Sequence, residues 1–254
     1  MLTVNTPILS SASVTHPGNV REINEDSILR SEGVLWAVAD GMGGYAAGDV
    51  ASRVVIEALS GLQANGVSVE RVSYDIVSTI EETLQQVNQK LAFEMTVGTG
   101  SEVMGSTVVV AVYHGSQCTC LWAGDSRLYV QRQGELYQIS KDHSVVQDMI
   151  DEGVLSAEEA ENHPQSHVIT RAVGVHDVLE LSKVTFDLQS NDVLLLCSDG
   201  LYNEVSPETI RELLADQTLD CELKAQALLG AALSTKARDN ISVSVVQVPV
   251  CQTR

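Results

Sequence analysis

The sequence predicts an α+β fold built on antiparallel sheets. Segments rich in β-branched residues are joined by short connections, His114-Gly115-Ser116 and Gln133-Gly134-Glu135, which are typical of hairpins. Hairpins pair neighbouring strands in opposite directions, whereas a doubly wound parallel sheet needs long crossovers. Two successive amphipathic stretches in the first half of the chain predict an antiparallel pair of helices.

The individual elements follow from periodicity and from their bounding residues. Apolar residues recur every three or four positions over 47–62 and 72–91, which predicts helices there. Later helices are expected to open at Ser206-Pro207-Glu208, with serine as the cap, and at about Asp220. A short amphipathic piece and an acidic run predict a mobile surface flap at about 144–171. Strands are predicted at 27–30, 34–39, 106–113, 118–123, 128–132, 193–197 and 241–248.

Composition limits the function classes. The 254 residues include 15 basic and 34 acidic side chains, and the net charge of −19 disfavours nucleic acid as a partner. A hydrophobic content of 44% suffices for a sizeable core, and we expect residues 1–254 to form a single domain. No apolar run approaches the roughly 20 residues of a membrane span, and residues 1–15 lack a signal-peptide pattern. These features predict a cytoplasmic protein without a membrane partner.

The cysteines are predicted to be reduced core thiols. There are five, at positions 118, 120, 197, 221 and 251, with no CxxC pair, and most lie in apolar segments. Cys118 and Cys120 alternate along a predicted strand, so both thiols point to one face, as packing requires. The spacing of zinc ligands is missing.

Carboxylates follow apolar strands at three places, each between small residues. Asp40 precedes Gly41, Asp125 follows Gly124, and Asp199 precedes Gly200. A single Asp-Gly pair is most often a turn. The repetition, joined by Glu25-Asp26 and Asp239-Asn240, predicts a cluster at one sheet edge instead.

Clustered carboxylates indicate a bound cation, because otherwise they repel and raise each other's pKa values. Oxygen ligands without His or Cys favour a hard divalent ion, Mg²⁺ or Mn²⁺. Two such ions lower the pKa of a shared water and stabilise phosphoryl transfer. Arg21 lies just before the acidic pair, where a guanidinium could clamp phosphate oxygens, although an arginine taken alone is more often a surface ion-pair partner.

Together these segments resemble the metal-dependent serine/threonine protein phosphatases of type 2C, in the compact form found in bacteria. The resemblance runs from about residue 13 to residue 248, and so many short motifs in the family's order are highly specific in combination. The motifs are Arg21-x-x-Asn24-Glu25-Asp26, Asp40-Gly41-Met42-Gly43-Gly44, Gly105-Ser106-Thr107, Gly124-Asp125-Ser126-Arg127, Asp142-His143-Ser144, Ile169-Thr170-Arg171-Ala172-Val173-Gly174, Ser198-Asp199-Gly200-Leu201 and Asp239-Asn240-Ile241.

The resemblance implies a four-layer α/β/β/α sandwich, two antiparallel sheets flanked by helix pairs, with the metals at one edge between the sheets. It implies two Mn²⁺ or Mg²⁺ ions, a weaker third, and hydrolysis of phosphoserine and phosphothreonine by direct attack of a metal-bridging hydroxide. The implied catalytic residues are Arg21, Asp40, Asp199 and Asp239. Asp40 is implied to bridge the two metals, with Asp199 and Asp239 completing the first and the Gly41 carbonyl binding the second. Asp125 with Asp199 is implied to hold the third metal, Glu25 and Asp26 to bind metal-bound waters, and Arg21 to bind the phosphate. In the flap, Ser166 and Arg171 are candidates for substrate contact, and a structural role for Arg171 stays open.

One position departs from many eukaryotic relatives, which have a histidine after the Asp-Gly pair as a candidate general acid. Met42 stands there and cannot donate a proton, so a metal-bound water is the expected substitute. His143 is expected to make a local structural contact instead of a catalytic one. His163 and His167 have a helical ligand spacing, but Pro164 breaks that helix, which argues against a metal role.

Two other functions stay open. A non-catalytic, phosphoprotein-binding member could keep the fold, but retention of Asp40, Asp199 and Asp239 together with Arg21 argues against it. A metal-dependent nuclease would use similar ions, but the acidic balance disfavours it. The expected partners are phosphorylated proteins and an opposing bacterial serine/threonine kinase, and a monomer is expected.

Overall fold

A computed structural model describes residues 9–30, 33–43, 47–64, 75–97, 104–161 and 163–249. The strands are β1 Ser10–His16, β2 Asp26–Leu29, β3 Leu35–Met42, β4 Gly105–Ser106, β5 Val108–His114, β6 Gln117–Ala123, β7 Arg127–Arg132, β8 Glu135–Gln138, β9 Ser182–Asp187, β10 Val193–Cys197 and β11 Ile241–Gln247. The helices are α1 Ala47–Ala64, α2 Asp75–Val97, α3 Val145–Asp151, α4 Ala157–Glu161, α5 Asp199–Tyr202, α6 Pro207–Ala215 and α7 Cys221–Leu233.

The strands form two antiparallel sheets. One has the order β1-β11-β10-β7-β8, and the other has the order β2-β3-β5-β6-β9, with the short β4 paired to β3. The predicted hairpins are confirmed, because β5 pairs with β6 and β7 pairs with β8 across the two short turns. The first and last strands of the described chain, β1 and β11, lie side by side.

Residue alternation along the strands separates three apolar layers. In β3, Leu35 and Ala37 pack against α1 and α2, whereas Trp36 points between the sheets. In β10, Leu195 packs towards α7 while Leu194 joins Trp36 in the inter-sheet layer. A period of two sends successive side chains to opposite faces, so both sheets are buried on both sides. The predicted four-layer arrangement is confirmed.

Strands β1 and β9 have no counterpart among the predicted strands. Residues 10–16 contain four serines or threonines, and 182–187 has exposed side chains along much of its length. Both are edge strands, held mainly by backbone pairing with β11 and β6, so neither shows an apolar run. The predicted strand 34–39 extends to Met42, because β4 supplies a partner for Gly41 and Met42.

The predicted helix starts at Ser206 and Asp220 are confirmed. The hydroxyl of Ser206 accepts from the Thr209 N–H at 3.3 Å, and a carboxylate oxygen of Asp220 accepts from the Leu223 N–H at 2.9 Å. Within the predicted flap, α3 is capped by Ser144. The predicted start of the second helix near residue 72 lies outside the described residues.

The described cysteines at 118, 120, 197 and 221 are buried and free, as predicted, and Cys251 lies outside the described residues. Burial raises the pKa of the Cys118 and Cys197 thiols to about 12. Among the helices of the described ranges, none has the length and apolar character that crossing a membrane requires.

Helix α7 offers a matched test of this packing. Leu228 is fully buried against the sheet, whereas Leu223 on the same helix is 51% exposed. We expect Leu228→Ala to lower the free energy of unfolding by about 2–5 kcal/mol, because a cavity replaces the side chain. Leu223→Ala is expected to cost less than about 1 kcal/mol. Urea unfolding followed by circular dichroism measures both, and equal losses would contradict this account of the layer.

Candidate metal centre

A cavity of about 760 Å³ opens at one edge of the sandwich, where strand ends from both sheets meet. Its wall contains six carboxylates and three basic side chains. The lining residues are Arg21, Glu25, Asp40, Gly41, Met42, Gly43, Thr107, Asp125, His167, Ile169, Asp199, Gly200, Asn203, Glu204, Arg238, Asp239 and Asn240.

Strand pairing brings the first two carboxylates together. Asp26 and Asp40 are direct partners in the antiparallel register of β2 and β3. Hydrogen bonds fix the Asp40 backbone, whose N–H donates to the Thr107 hydroxyl at 3.0 Å and whose carbonyl accepts from the Thr107 N–H at 2.8 Å. Gly41 lies so close to α1 that a Cβ there would be 2.1 Å from the Gly48 carbonyl oxygen. The Asp-Gly pair is therefore part of a strand, not a free turn.

Asp199 begins α5 directly after β10. The preceding Ser198 donates from its hydroxyl to Asp26 at 2.7 Å and accepts from the Ser242 N–H at 2.9 Å. Gly200 permits a close approach to the next carboxylate segment, because a Cβ there would be 2.1 Å from the Asn240 carbonyl oxygen. Small residues around Asp199 thus let two chain segments meet, as the sequence pattern indicated.

Asn240 ties the Arg21 loop to the end of the first sheet. Its side-chain oxygen accepts from the Glu25 N–H at 2.8 Å, and its amide donates to the carbonyls of Pro17 and Ile23 at 3.1 and 2.9 Å. These bonds place Arg21 beside Asp239, whose carboxylate it contacts at 2.9 Å. The motif that contains Arg21 and the motif Asp239-Asn240, which are far apart in the sequence, therefore lie together in the structure.

Asp125 is held by its neighbours on both sides. The Tyr202 hydroxyl donates to the Asp125 carbonyl at 3.0 Å. Gly124 exchanges two hydrogen bonds with His143, since its N–H donates to the imidazole Nδ1 at 3.2 Å and its carbonyl accepts from the His143 N–H at 3.0 Å. Arg127 binds the Asp142 carboxylate in a bidentate fashion and stacks over the Tyr202 ring at 3.5 Å.

His143 thus acts as a clamp at the base of the predicted flap. Its ring stacks on Trp122, and its Nε2 lies 2.9 Å from the Ser182 hydroxyl. Because Nδ1 accepts from Gly124, the neutral ring carries its proton on Nε2. Burial, reinforced by the charge of Arg171, lowers the pKa of His143 to about 4. The structural role expected for this residue agrees with these contacts.

The carboxylates strongly disfavour simultaneous ionisation. Burial, with contributions from neighbouring acids, raises the pKa of Asp26 and of Asp125 to about 7. Burial and the charge of Asp239 raise the pKa of Asp199 to about 6. The pKa of Asp40 is raised well above its ordinary value, mainly by burial and then by Asp26. An added positive charge would relieve this repulsion.

The residues fit a hard divalent cation. Within the described ranges, no group of three acidic, His or Cys side chains is already close enough together to hold a metal ion. One oxygen of Asp26 is nevertheless buried without a hydrogen-bond partner, a costly state that a bound water or ion would relieve. The available donors are carboxylate oxygens and the Gly41 carbonyl, which suit Mg²⁺ or Mn²⁺.

The structure brings most of the sequence-predicted site residues to one cavity. Arg21, Glu25, Asp40, Gly41, Asp125, Asp199 and Asp239 line it, and Asp26 lies behind, bonded to Ser198. Ser166 and Arg171 do not line it, and Arg171 pairs with Glu180 at 3.4 Å. The flap residues in the wall are His167 and Ile169.

Sequence reasoning missed three polar residues of the wall, Asn203, Glu204 and Arg238. Asn203, the residue that follows α5, donates to the Asp199 carboxylate at 3.1 Å, and its spacing of four residues from Asp199 could have revealed it. Arg238 directly precedes Asp239, and this adjacency is the signal that was available. His167, discounted as a metal ligand, lies in the cavity wall.

The fold and the site define a class of α+β sandwich proteins that gather carboxylates at the edge between two antiparallel sheets. The sequence matches the family described as Protein phosphatase 2C over residues 20–234. The chain belongs to this family.

Its relatives are bacterial. The chain is 38% identical over 243 residues to the serine/threonine protein phosphatase PstP of Mycobacterium tuberculosis, covering 96% of this chain and 46% of that protein. It therefore spans about half the length of that relative. It is 34% identical over 242 residues to the serine/threonine phosphatase stp of Listeria monocytogenes, covering 94% of this chain and 95% of that protein.

Solved structures agree with the fold. The catalytic domain of PstP in complex with two manganese ions superimposes with a TM-score of 0.84 at 36% identity, covering 96% of this chain and 100% of that one. The manganese ions belong to that structure, but they are of the kind that the carboxylate cluster here was predicted to bind.

The raised carboxylate pKa values predict how manganese stabilises the protein at different pH. Protonated carboxyls stabilise the metal-free fold below the unfolded-state pKa of about 4, and this stability is lost as pH rises through 6 to 7. Protons also compete with the cation. We therefore expect the rise in Tm caused by Mn²⁺ to be larger at about pH 7.5 than at about pH 5.5. Differential scanning calorimetry tests this, and a shift independent of pH would contradict it.

The His143 clamp gives a second prediction. His143→Phe retains a ring against Trp122 but leaves the buried Gly124 N–H without an acceptor, and should lower the free energy of unfolding by about 1–3 kcal/mol near pH 7. In the wild type, the unfolded chain binds more protons than the folded one between about pH 6.5 and pH 4. The contribution of His143 to wild-type stability therefore falls as pH falls. The difference in free energy of unfolding between the wild type and His143→Phe should accordingly narrow from about pH 7 towards about pH 4. Urea unfolding at two pH values measures this difference. A difference that stays constant or widens as pH falls would contradict a neutral His143 that accepts from the Gly124 N–H.

Proposed function

We propose that this chain is a metal-dependent protein phosphatase that removes phosphate from phosphoserine and phosphothreonine. The observation that carries the proposal is that Asp40, Asp199, Asp239 and Arg21 line one cavity. These groups come from both sheets and from distant parts of the chain. Structural stability alone gives no reason to gather them, because their mutual repulsion is unfavourable.

The proposed division of roles follows from position. Asp40, Asp199, Asp239 and the Gly41 carbonyl would hold two ions, Asp125 with Asp199 a weaker third, and Glu25 and Asp26 would bind waters on them. When bound, such ions supply charge stabilisation and a water of lowered pKa for direct attack on phosphorus. Buried neighbours hold the carboxylates in place, which reduces the reorganisation needed for reaction.

Arg21 is the proposed phosphate clamp. Its guanidinium is half-exposed and contacts the outer carboxylate Asp239 at 2.9 Å. Hydrogen bonding and the charge of Asp239 raise its pKa further, so it stays protonated at every working pH. A planar guanidinium binds two phosphate oxygens at once, and its exposed position lets it reach a substrate without breaking a buried contact.

The wider setting is proposed from the sequence. Residues 1–254 would be one catalytic domain whose flap, at about 144–171, meets the substrate through Ser166 and Arg171. The substrates would be phosphorylated proteins, and an opposing bacterial serine/threonine kinase would supply them. We place the protein in the cytoplasm as a monomer.

The direct test is phosphate release from a phosphothreonine peptide. We expect activity with Mn²⁺, none with EDTA, and a loss of more than roughly 100-fold in kcat/KM for Asp199→Asn, since even outer partners of metal ligands contribute about 10–100-fold. Asp177→Asn is the matched control, because Asp177 is exposed and lies outside the cavity wall. It should behave like the wild type.

Two results would overturn the proposal. Absence of release in the wild type, with Mn²⁺ still bound in calorimetry, would favour the phosphoprotein-binding alternative. Release that persists in EDTA or in Asp199→Asn would remove the carboxylate cluster from the reaction.

A further inference from the structure

Arg238 stands out among the residues of the cavity wall that the phosphatase reaction does not employ. It is exposed and lines the same cavity as Arg21. Arg21 is paired with Asp239, but no carboxylate of the described ranges forms a close ion pair with the Arg238 guanidinium. In a protein with a net charge of −19, an unpaired cation at the mouth of an acidic cavity calls for a functional reason.

The backbone that carries Arg238 is fixed firmly. Ala237, fully buried, has a φ of 41°, which is unfavourable for a residue with a Cβ. Its N–H donates to the Thr235 hydroxyl at 3.2 Å, and its carbonyl accepts from the Asn19 N–H at 2.8 Å. The turn is thus bonded to the loop that carries Arg21, and both arginines are presented from adjoining segments.

Glu204, an acid of the same cavity wall, does not form a close ion pair with the Arg238 guanidinium. Glu204 accepts from the Thr235 hydroxyl at 2.6 Å and from the Arg238 N–H at 3.3 Å. Hydrogen bonding by Thr235, followed by smaller contributions that include the Arg238 charge, lowers the pKa of Glu204. The carboxylate is therefore used to hold the turn, and the guanidinium stays available on the cavity side.

We propose that Arg238 is a specificity-determining residue that contacts a second anionic group beside the phosphorylated residue of the substrate. This group is a carboxylate or a second phosphate, the two oxyanions that a guanidinium binds best. The inference rests on the proposed phosphatase activity and names a substrate class for it. Substrates with acidic surroundings are selected by this one local cation, although the protein as a whole is acidic.

The test compares phosphothreonine peptides that differ only in their flanks. One peptide has neutral flanks, a second carries Asp and Glu on either side, a third carries a second phosphate, and a fourth carries lysines. In the wild type we expect kcat/KM for the acidic and doubly phosphorylated peptides to exceed that of the neutral one by about two- to fivefold, the effect of one exposed charge pair. The preference should weaken as salt rises.

Variants test whether the preference for anionic peptides comes from the Arg238 side chain. Arg238→Ala should reduce the ratio of acidic to neutral turnover to about one, Arg238→Lys should retain part of it, and Arg238→Glu should reverse it in favour of the lysine peptide. Lys236→Ala is the matched control: it removes one exposed charge from the same turn but does not line the cavity, so its ratio should equal that of the wild type.

The outcomes separate the two proposals. Hydrolysis of the neutral peptide and of p-nitrophenyl phosphate reports the phosphatase activity, whereas the ratio between peptides reports the role of Arg238. An active wild type with a ratio of one or less would overturn the inference and leave the phosphatase standing. An equal loss of preference in Lys236→Ala and Arg238→Ala would also overturn it, because the effect would then come from overall charge. A preference for only one of the two anionic peptides would identify which group is recognised.

Discussion

The repulsion among carboxylates at the open edge of the sandwich is the constraint on which the site depends. Asp26, Asp40, Asp125 and Asp199 all have raised pKa values, and burial is the first cause in each case. Keeping them together opposes folding, so the surrounding structure must enforce it. The register of β2 and β3, the close approach at Gly200 and the side chain of Asn240 do so.

The connections around this edge are mostly hydrogen bonds to backbone groups. Asn240 holds the Arg21 loop through three backbone partners, and His143 holds both polar groups of Gly124. Such bonds fix the chain path through backbone groups, whereas the carboxylates of Asp26, Asp199 and Asp239 accept from Ser198, Asn203 and Arg21 respectively. Asparagine, serine and histidine side chains thus position the backbone, and the aspartates are the groups placed to bind a ligand.

Charge acts at two scales in this protein. The net charge of −19 is spread over the surface, where salt screens it within about 8 Å at physiological ionic strength. At the cavity mouth, Arg21 and Arg238 lie close to the reaction centre and are presented from adjoining segments. A substrate near the cavity therefore experiences the local cations more strongly than the distant acidic surface, which connects the proposed phosphate clamp to the proposed selection of flanking groups.

The sequence by itself determined the fold class, the antiparallel hairpins, the caps at Ser206 and Asp220, and the set of strand-end carboxylates. These features are local, because turn chemistry, apolar period and small neighbours are visible within a few residues.

Tertiary structure decided the edge strands β1 and β9, whose polar sequences pair through the backbone, and the extension of β3 to Met42 through β4. It also decided that Arg171 pairs with Glu180 while His167 and Arg238 line the cavity. Those outcomes depend on contacts between segments that are distant in sequence. A pattern of neighbouring residues therefore does not predict which surface side chain will face the cavity.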